Sequence, residues 1–203
     1  VAGAETTVIE AGGLGTEISV AGSSATYTAT VYDSNSNKVV VIYGSQTENT
    51  IRAYVGTVSG KNITSGNVST KNTNGPVTDK SLQAVFDPNS NKVVVAYVEY
   101  IYGDRLVRSM VGTISGTSIS FGSQAYVEDN ESFDTRALAL AFDSSSNKVI
   151  FSYISISSKQ VRSRVGTVSG TSISFGSVTN SSAVASYNDI TSVYDPDNNK
   201  VVV

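Results

Sequence analysis

Val85-Phe-Asp-Pro-Asn-Ser-Asn-Lys-Val-Val-Val95 decides how this chain is read, because the phrase occurs four times. The other copies are Val31-Tyr-Asp-Ser-Asn-Ser-Asn-Lys-Val-Val-Val41, Ala141-Phe-Asp-Ser-Ser-Ser-Asn-Lys-Val-Ile-Phe151 and Val193-Tyr-Asp-Pro-Asp-Asn-Asn-Lys-Val-Val-Val203. Their aspartates, Asp33, Asp87, Asp143 and Asp195, stand 54, 56 and 52 residues apart. Self-similarity at such a period marks a repeat architecture. Each copy has the form strand, turn, strand. An apolar end meets an Asp/Asn/Ser cluster that favours a tight turn, and a β-branched run follows.

A second phrase follows the first three copies. It reads Arg52-Ala-Tyr-Val-Gly-Thr-Val-Ser-Gly60, Arg108-Ser-Met-Val-Gly-Thr-Ile-Ser-Gly116 and Arg162-Ser-Arg-Val-Gly-Thr-Val-Ser-Gly170. Thr117-Ser-Ile-Ser-Phe-Gly122 and Thr171-Ser-Ile-Ser-Phe-Gly176 continue two of them, and Gly15-Thr-Glu-Ile-Ser-Val20 is a worn copy near the start. The closing Gly lies 27, 29 and 27 residues beyond the anchor Asp, whereas Asp195 has only eight residues after it. A closed ring of four, its last unit shared between the termini, accounts for this phase. A segment cut from a longer array leaves the same half-repeats.

The third copy divides into strands at 137–142, 148–154, 160–168 and 172–175, with turns at 143–147 and 169–170 and a loop at 155–159. No stretch sustains a 3.6-residue period, so helix is not expected. Four antiparallel strands per unit at this spacing is the pattern of a propeller blade. The expected fold is therefore all-β, a β-propeller of four blades of four antiparallel strands. It forms one domain over 1–203, with blades at approximately 26–78, 79–134, 135–187 and 188–203 plus 1–25. The alternatives are a β-sandwich, which does not need near-identical units, and a β-solenoid, whose coils usually run to about 20–30 residues.

The order of inner strand, Asp87-Pro-Asn-Ser-Asn-Lys92 turn and outer strands resembles WD-type repeats, although the chain has no Trp. The Asp-Pro-x-x-Asn-Lys-Val-Val-Val wording is similar to YVTN-type surface propellers. Its combination with Val-Gly-Thr-Val-Ser-Gly-Thr-Ser-Ile-Ser-Phe-Gly looks like repeats in virion and tail-fibre proteins of marine bacteriophages. This resemblance covers nearly the whole chain. It implies a propeller placed outside a cell or on a virion surface.

Composition narrows the function. Of 203 residues, 39% are hydrophobic, which allows a real core, and only 15% are charged, with a net charge of −3 and no like-charged block. A nucleic-acid footprint needs a clustered basic face, which is absent. No apolar run approaches the ~20 residues of a membrane-spanning helix. The chain starts at Val1 and is read as processed or as part of something longer. It has no Cys and no His. That removes disulfides, thiolate nucleophiles, ordinary zinc sites and a Ser-His-Asp triad. No cofactor or metal is expected.

Residues that repeat read as construction. The anchor turns place oxygen ligands at alternating positions (Asp33, Asn35, Asn37; Asp87, Asn89, Asn91; Asp195, Asp197, Asn199) but lack the Gly and the bidentate Glu of a calcium loop. They read as hairpin turns in which Asp caps backbone N–H groups. Arg52, Arg108 and Arg162 recur at one strand position. They read as stems packed between blades and bonded to a neighbouring carbonyl or carboxylate, rather than as an anion-binding ring.

Residues that do not repeat are the candidates for function. They cluster at 44–49, Tyr100-Ile-Tyr-Gly-Asp-Arg105, Tyr126-Val-Glu-Asp-Asn-Glu131, 71–80 and Tyr187-Asn-Asp189. In a propeller these loops share one face. A Tyr beside carboxylates and amides offers a flat apolar surface with directional hydrogen bonds. The candidate ligand-binding residues are Tyr100, Tyr102, Asp104, Arg105, Tyr126, Glu128, Asp129, Tyr187 and Asp189. Asp129, Glu131 and Asp134 are the only acids that suggest glycoside hydrolysis. The expectation is a non-enzymatic binding module for a glycan or surface protein. A structural part docking against neighbouring subunits stands second, and a glycosidase third.

Overall fold

The computed structural model describes residues 25–45, 47–78, 81–128, 133–155, 158–183 and 189–203 and four short pieces before them, with backbone alone at 133–136, at 183 and in those pieces. The pieces are β1 (Glu5–Thr6), β2 (Ile9–Glu10), β3 (Gly13–Leu14) and β4 (Ile18–Ser19); β1 pairs with β4 and β2 with β3. Among the described residues every regular element is a strand, every pairing is antiparallel, and no helix occurs. The β-branched phrases dictate this, since their side chains suit a pleated, half-buried surface.

The first unit contains β5 (Tyr27–Asp33), β6 (Lys38–Gly44), β7 (Thr50–Ser59), β8 (Asn62–Ser65) and β9 (Ser69–Asn72). The second contains β10 (Gln83–Asp87), β11 (Lys92–Ile101), β12 (Asp104–Ser115), β13 (Ser118–Phe121) and β14 (Ala125–Glu128). The third contains β15 (Phe133–Asp143), β16 (Lys148–Ser155), β17 (Gln160–Ser169), β18 (Ser172–Phe175) and β19 (Thr179–Ala183). The fourth has β20 (Val193–Asp195) and β21 (Lys200–Val202).

Each five-stranded sheet is four strands wide. β8 and β9 both pair with β7, in line with each other, and the same holds for β13 and β14 on β12 and for β18 and β19 on β17. Between each pair the outer chain carries one residue more than the strand it faces, which makes a bulge. The bulge sits at the Gly that closes the repeated phrase. Gly66 N–H donates to the Val55 carbonyl at 3.0 Å, Gly122 to Val111 at 2.9 Å and Gly176 to Val165 at 2.9 Å.

The repeated wording is accounted for unit by unit. Asp33 Oδ1 accepts from the Asn35 and Ser36 backbone N–H groups at 2.9 and 3.1 Å, and Asp87 and Asp143 repeat the arrangement. The following Asn37, Asn91, Asn147 and Asn199 are left-handed, with φ of 52–56°, a conformation that Asn tolerates better than most residues. Lys38, Lys92 and Lys148 donate through Nζ to Thr57, Thr113 and Thr167 Oγ1 across the next strand at 2.5, 2.9 and 3.0 Å.

Successive sheets pack face against face. One core lies between units one and two and joins Val40, Ile42, Ala53 and Val55 to Val93, Val95, Tyr97 and Met110. The next lies between units two and three and joins Val94, Ala96, Val107 and Val111 to Leu138, Leu140, Phe151 and Tyr153. Alternation along each strand explains how one sheet serves two cores: Val93 and Val95 point to one neighbour, Val94 and Ala96 to the other. The first strands lie side by side, β5 against β10, β10 against β15 and β15 against β20. The anchor turns are bonded from unit to unit as well. Asn35 Nδ2 donates to Pro88 O and Asn91 Oδ1, Asn89 Nδ2 to Asn147 Oδ1, and Ser145 Oγ to Asn199 Oδ1.

Among the described residues β20 and β21 pair only with each other, and no sheet joins them to β1–β4. The expectation of one unit shared between 188–203 and 1–25 falls mostly on residues outside those described.

Candidate functional site

The second unit has the longest hairpin: β11 and β12 run for 10 and 12 residues, so their joined ends project past the neighbouring strands. The turn is Tyr102-Gly103, with φ of 52° and 100°. Two successive positive φ values are what a two-residue hairpin connection requires, and Gly103 meets that need at no steric cost. Tyr102 does not. A bulky residue in the left-handed region is strained, and here its side chain is fully exposed. Tyr100 and Arg105 are cross-strand partners below it, with the Arg105 Cζ 5.7 Å from the Tyr100 ring centroid. Asp104 is exposed beside them.

The base of this hairpin is held by the segment leading in from unit one. Tyr100 N–H donates to Pro76 O at 3.1 Å, and Thr78 N–H to Val98 O at 3.0 Å. Gly75 lies so close that a Cβ there would stand 2.2 Å from the Tyr100 carbonyl oxygen. The same segment touches the β6–β7 loop, where Thr73 N–H donates to Asn49 O at 2.8 Å. The described parts of the loops, at 44–45, 47–49, 71–78 and 100–105, therefore gather at one end, opposite the anchor turns.

Tyr126 lies elsewhere. It pairs with Arg108 across β12–β14, and Arg105 and Arg108, three residues apart, point to opposite faces. Tyr126 therefore faces the unit-one side and Tyr100 the unit-three side. The Tyr126 ring caps a buried charge, with Arg108 Cζ 3.4 Å from its centroid. Arg108 is itself paired with buried Glu99, whose second oxygen accepts from Asn74 N–H at 3.2 Å.

Glu128 does not reach the hairpin tip either. It is buried, accepts from the Tyr153 hydroxyl at 3.2 Å and lies 3.8 Å from Arg162. It serves the seam between units two and three. Asp189 is exposed ahead of β20, in another unit. Asp129 and Tyr187 fall outside the described residues, as does Glu131; of Asp134 only the backbone is described.

A pattern missed from sequence emerges. Tyr43–Arg52, Tyr97–Arg108 and Tyr153–Arg162 are cross-strand pairs at the same place in three units. Each has a carboxylate, drawn from a different part of the chain: Glu48 in the loop after β6, Glu99 within β11, and Glu128 from the preceding unit. The recurring arginines are structural, as their repetition suggested. The signal that could have located the acids was the recurring Tyr–Arg register, which leaves each guanidinium needing a counter-charge. Burial, reinforced by the nearby carboxylate, holds the Tyr97 and Tyr153 hydroxyls far above their ordinary ionisation. The Tyr97 hydroxyl, fully buried, has no hydrogen-bond partner among the described residues.

The anchor aspartates are engaged at both oxygens. Ser36, Ser90 and Ser146 hydroxyls donate to the second oxygen of Asp33, Asp87 and Asp143, and the Asn198 amide to that of Asp195. These bonds hold the Asp143 carboxyl down from 3.8 to about 2, and Asp195 is lowered in the same way by its Asn198 bonds. The turns are self-capped. Between β5 and β10 a small open hollow is lined by Thr26, Tyr27, Thr28, Leu82 and Gln83, with no charged side chain.

No family model matches the chain, and no curated protein matches it.

Proposed function

We propose that this protein is a non-enzymatic binding module that uses the Tyr100–Arg105 hairpin tip to engage a glycan or a cell-surface receptor. The observation that carries the reading is Tyr102: fully exposed, in left-handed backbone, at the tip of the longest hairpin. Strain of order 1–3 kcal/mol at an exposed position is kept where it serves a contact. Tyr100, Asp104 and Arg105 add an aromatic face, an acceptor and a fork of donors on the same tip. The frame behind it is read as a propeller whose four units stand as blades, which the side-by-side first strands support. The resemblance to virion and surface propellers supports a place outside a cell or on a particle. A role as a structural part of an appendage is the second reading, favoured by the exposed Val165 on β17.

A glycan array and a cell-binding assay test the proposal. The intact chain is expected to bind a defined glycan or cell type, and Tyr100→Ala with Tyr102→Ala to lose at least tenfold in affinity. A blank array and unlabelled cells overturn it.

A further inference from the structure

Two places after the Tyr of each Tyr–Arg pair, units one and three carry a serine, Ser45 and Ser155, whereas unit two carries Glu99. All three residues are buried, Glu99 completely. The serines end their strands. Ser45 Oγ accepts the Thr47 N–H at 3.1 Å and Ser155 Oγ the Ser158 N–H at 3.3 Å, and β6 and β16 stop at Gly44 and Ser155. A hydroxyl that bonds a backbone N–H two or three residues on competes with the strand ladder. Glu99 turns its carboxylate across the sheet instead, and β11 runs on to Ile101 and the projecting tip.

That carboxylate is divided between two elements. One oxygen accepts from Arg108 Nε on β12, and the other from Asn74 N–H, on the segment leading in from unit one, at 3.2 Å. Val77 of the same segment bridges Glu99 along the edge of β11, between the backbone bonds at Val98 and Tyr100. Thr73 Oγ1 donates to Gly75 O at 2.7 Å, within the turn that brings Gly75 against the Tyr100 carbonyl. Arg108 lies beneath the Tyr126 ring. A buried carboxylate carries a desolvation cost that only close pairing offsets. Serine avoids that cost at this position in two units, so packing alone does not call for an acid here.

We propose that Glu99 is a positioning residue for the tip. It clamps the 73–78 segment onto β11 and so fixes the direction in which Tyr100, Tyr102 and Arg105 are presented. Tyr126 takes part through Arg108 and not as a ligand contact. This role rests on the reading of the tip as the binding element.

Changing Glu99 alone strands a buried guanidinium. The test is therefore made on Arg108→Met, which removes the charge and keeps a flexible apolar stem under Tyr126. On that background Glu99→Gln retains an acceptor for Asn74 N–H and Glu99→Leu retains none. Amide exchange and N–H residual dipolar couplings are read without ligand. In the Gln variant the Tyr100 and Thr78 amides should stay protected, and the Tyr102, Gly103 and Asp104 couplings should match the parent. In the Leu variant those two amides should exchange at least tenfold faster and the couplings shrink toward zero. The amides of β6 and β16 should exchange equally in both variants, which a general loss of stability would not allow.

Equal protection of Tyr100 and Thr78 in the two variants overturns the proposal. Asn74→Pro removes the same hydrogen bond from the other side and leaves the Glu99–Arg108 pair intact, so the answer does not depend on the double variants folding. It should reproduce the loosened tip, while Asn74→Ala, which loses only the side-chain bond to Gln124, should behave as the parent. Parent-like couplings in Asn74→Pro overturn the proposal. A blank glycan array removes the ligand reading and leaves these measurements to decide whether Glu99 fixes the tip. Where a glycan is recognised, the Leu variant should bind at least tenfold more weakly than the Gln variant, and equal binding by a loosened tip overturns the positioning role.

Discussion

Single residues here divide by what surrounds them. Glu99 is fully buried against Arg108, while Glu48 and Arg52 are a third and a quarter exposed. Removing one partner of a buried pair leaves an uncompensated charge and costs about 3–5 kcal/mol; an exposed pair is worth about 1 kcal/mol or less. Glu99→Gln should therefore destabilise the fold severely in denaturant unfolding, and Glu48→Gln hardly at all. Asp143 follows a different rule. Its folded value lies near 2 against 3.8 for the free group, so its contribution is complete above 3.8 and is lost as pH falls toward 2. NMR titration of its carboxyl should show the low value, and Asp143→Asn should flatten the acid limb of stability. The aspartates and arginines were legible from sequence because they repeat. The acids of the Tyr–Arg clusters were not, because each unit recruits its own from a different place. Glu128 misled for that reason: from sequence it sits beside an exposed loop, while its side chain turns into the seam.

At the scale of elements, strand positions followed closely from β-branched runs and turn clusters, although the third unit's first strand, expected at 137–142, runs as β15 from Phe133 to Asp143. The third unit's expected 148–154, 160–168 and 172–175 became β16, β17 and β18. The strand after the bulge was not legible, since Ser69–Asn72 and residues 179–182 are polar and exposed or only partly covered. Their pairing comes from the backbone hydrogen bond at the bulge glycine. The projecting β11–β12 hairpin was visible only as unshared sequence; its length is a register property. Its turn carries a testable cost. Tyr102→Asn places a residue suited to left-handed backbone before Gly103, and should stabilise the fold by about 1 kcal/mol in chemical denaturation.

At the scale of the whole molecule, the described sheets pack in succession and each is stabilised by its neighbours. Such a succession behaves as a sum of units and nearest-neighbour seams. Phe151 lies fully buried in the second seam, edge-on to Phe175 at 5.1 Å between centroids. Phe151→Ala should cost about 3–5 kcal/mol. Hydrogen exchange should show the loss concentrated at the junction of units two and three, with the first seam better protected. This frame gives the tip its rigidity: the hairpin base is bonded to the segment from unit one, and only the last residues are free to meet a partner.

The most direct test of the account is the binding of Tyr102→Asn, measured beside its stability on the glycan or cell type that the intact chain recognises. The account predicts a protein that melts no lower than the parent and binds at least tenfold more weakly. Undiminished binding by the stabilised variant would contradict it.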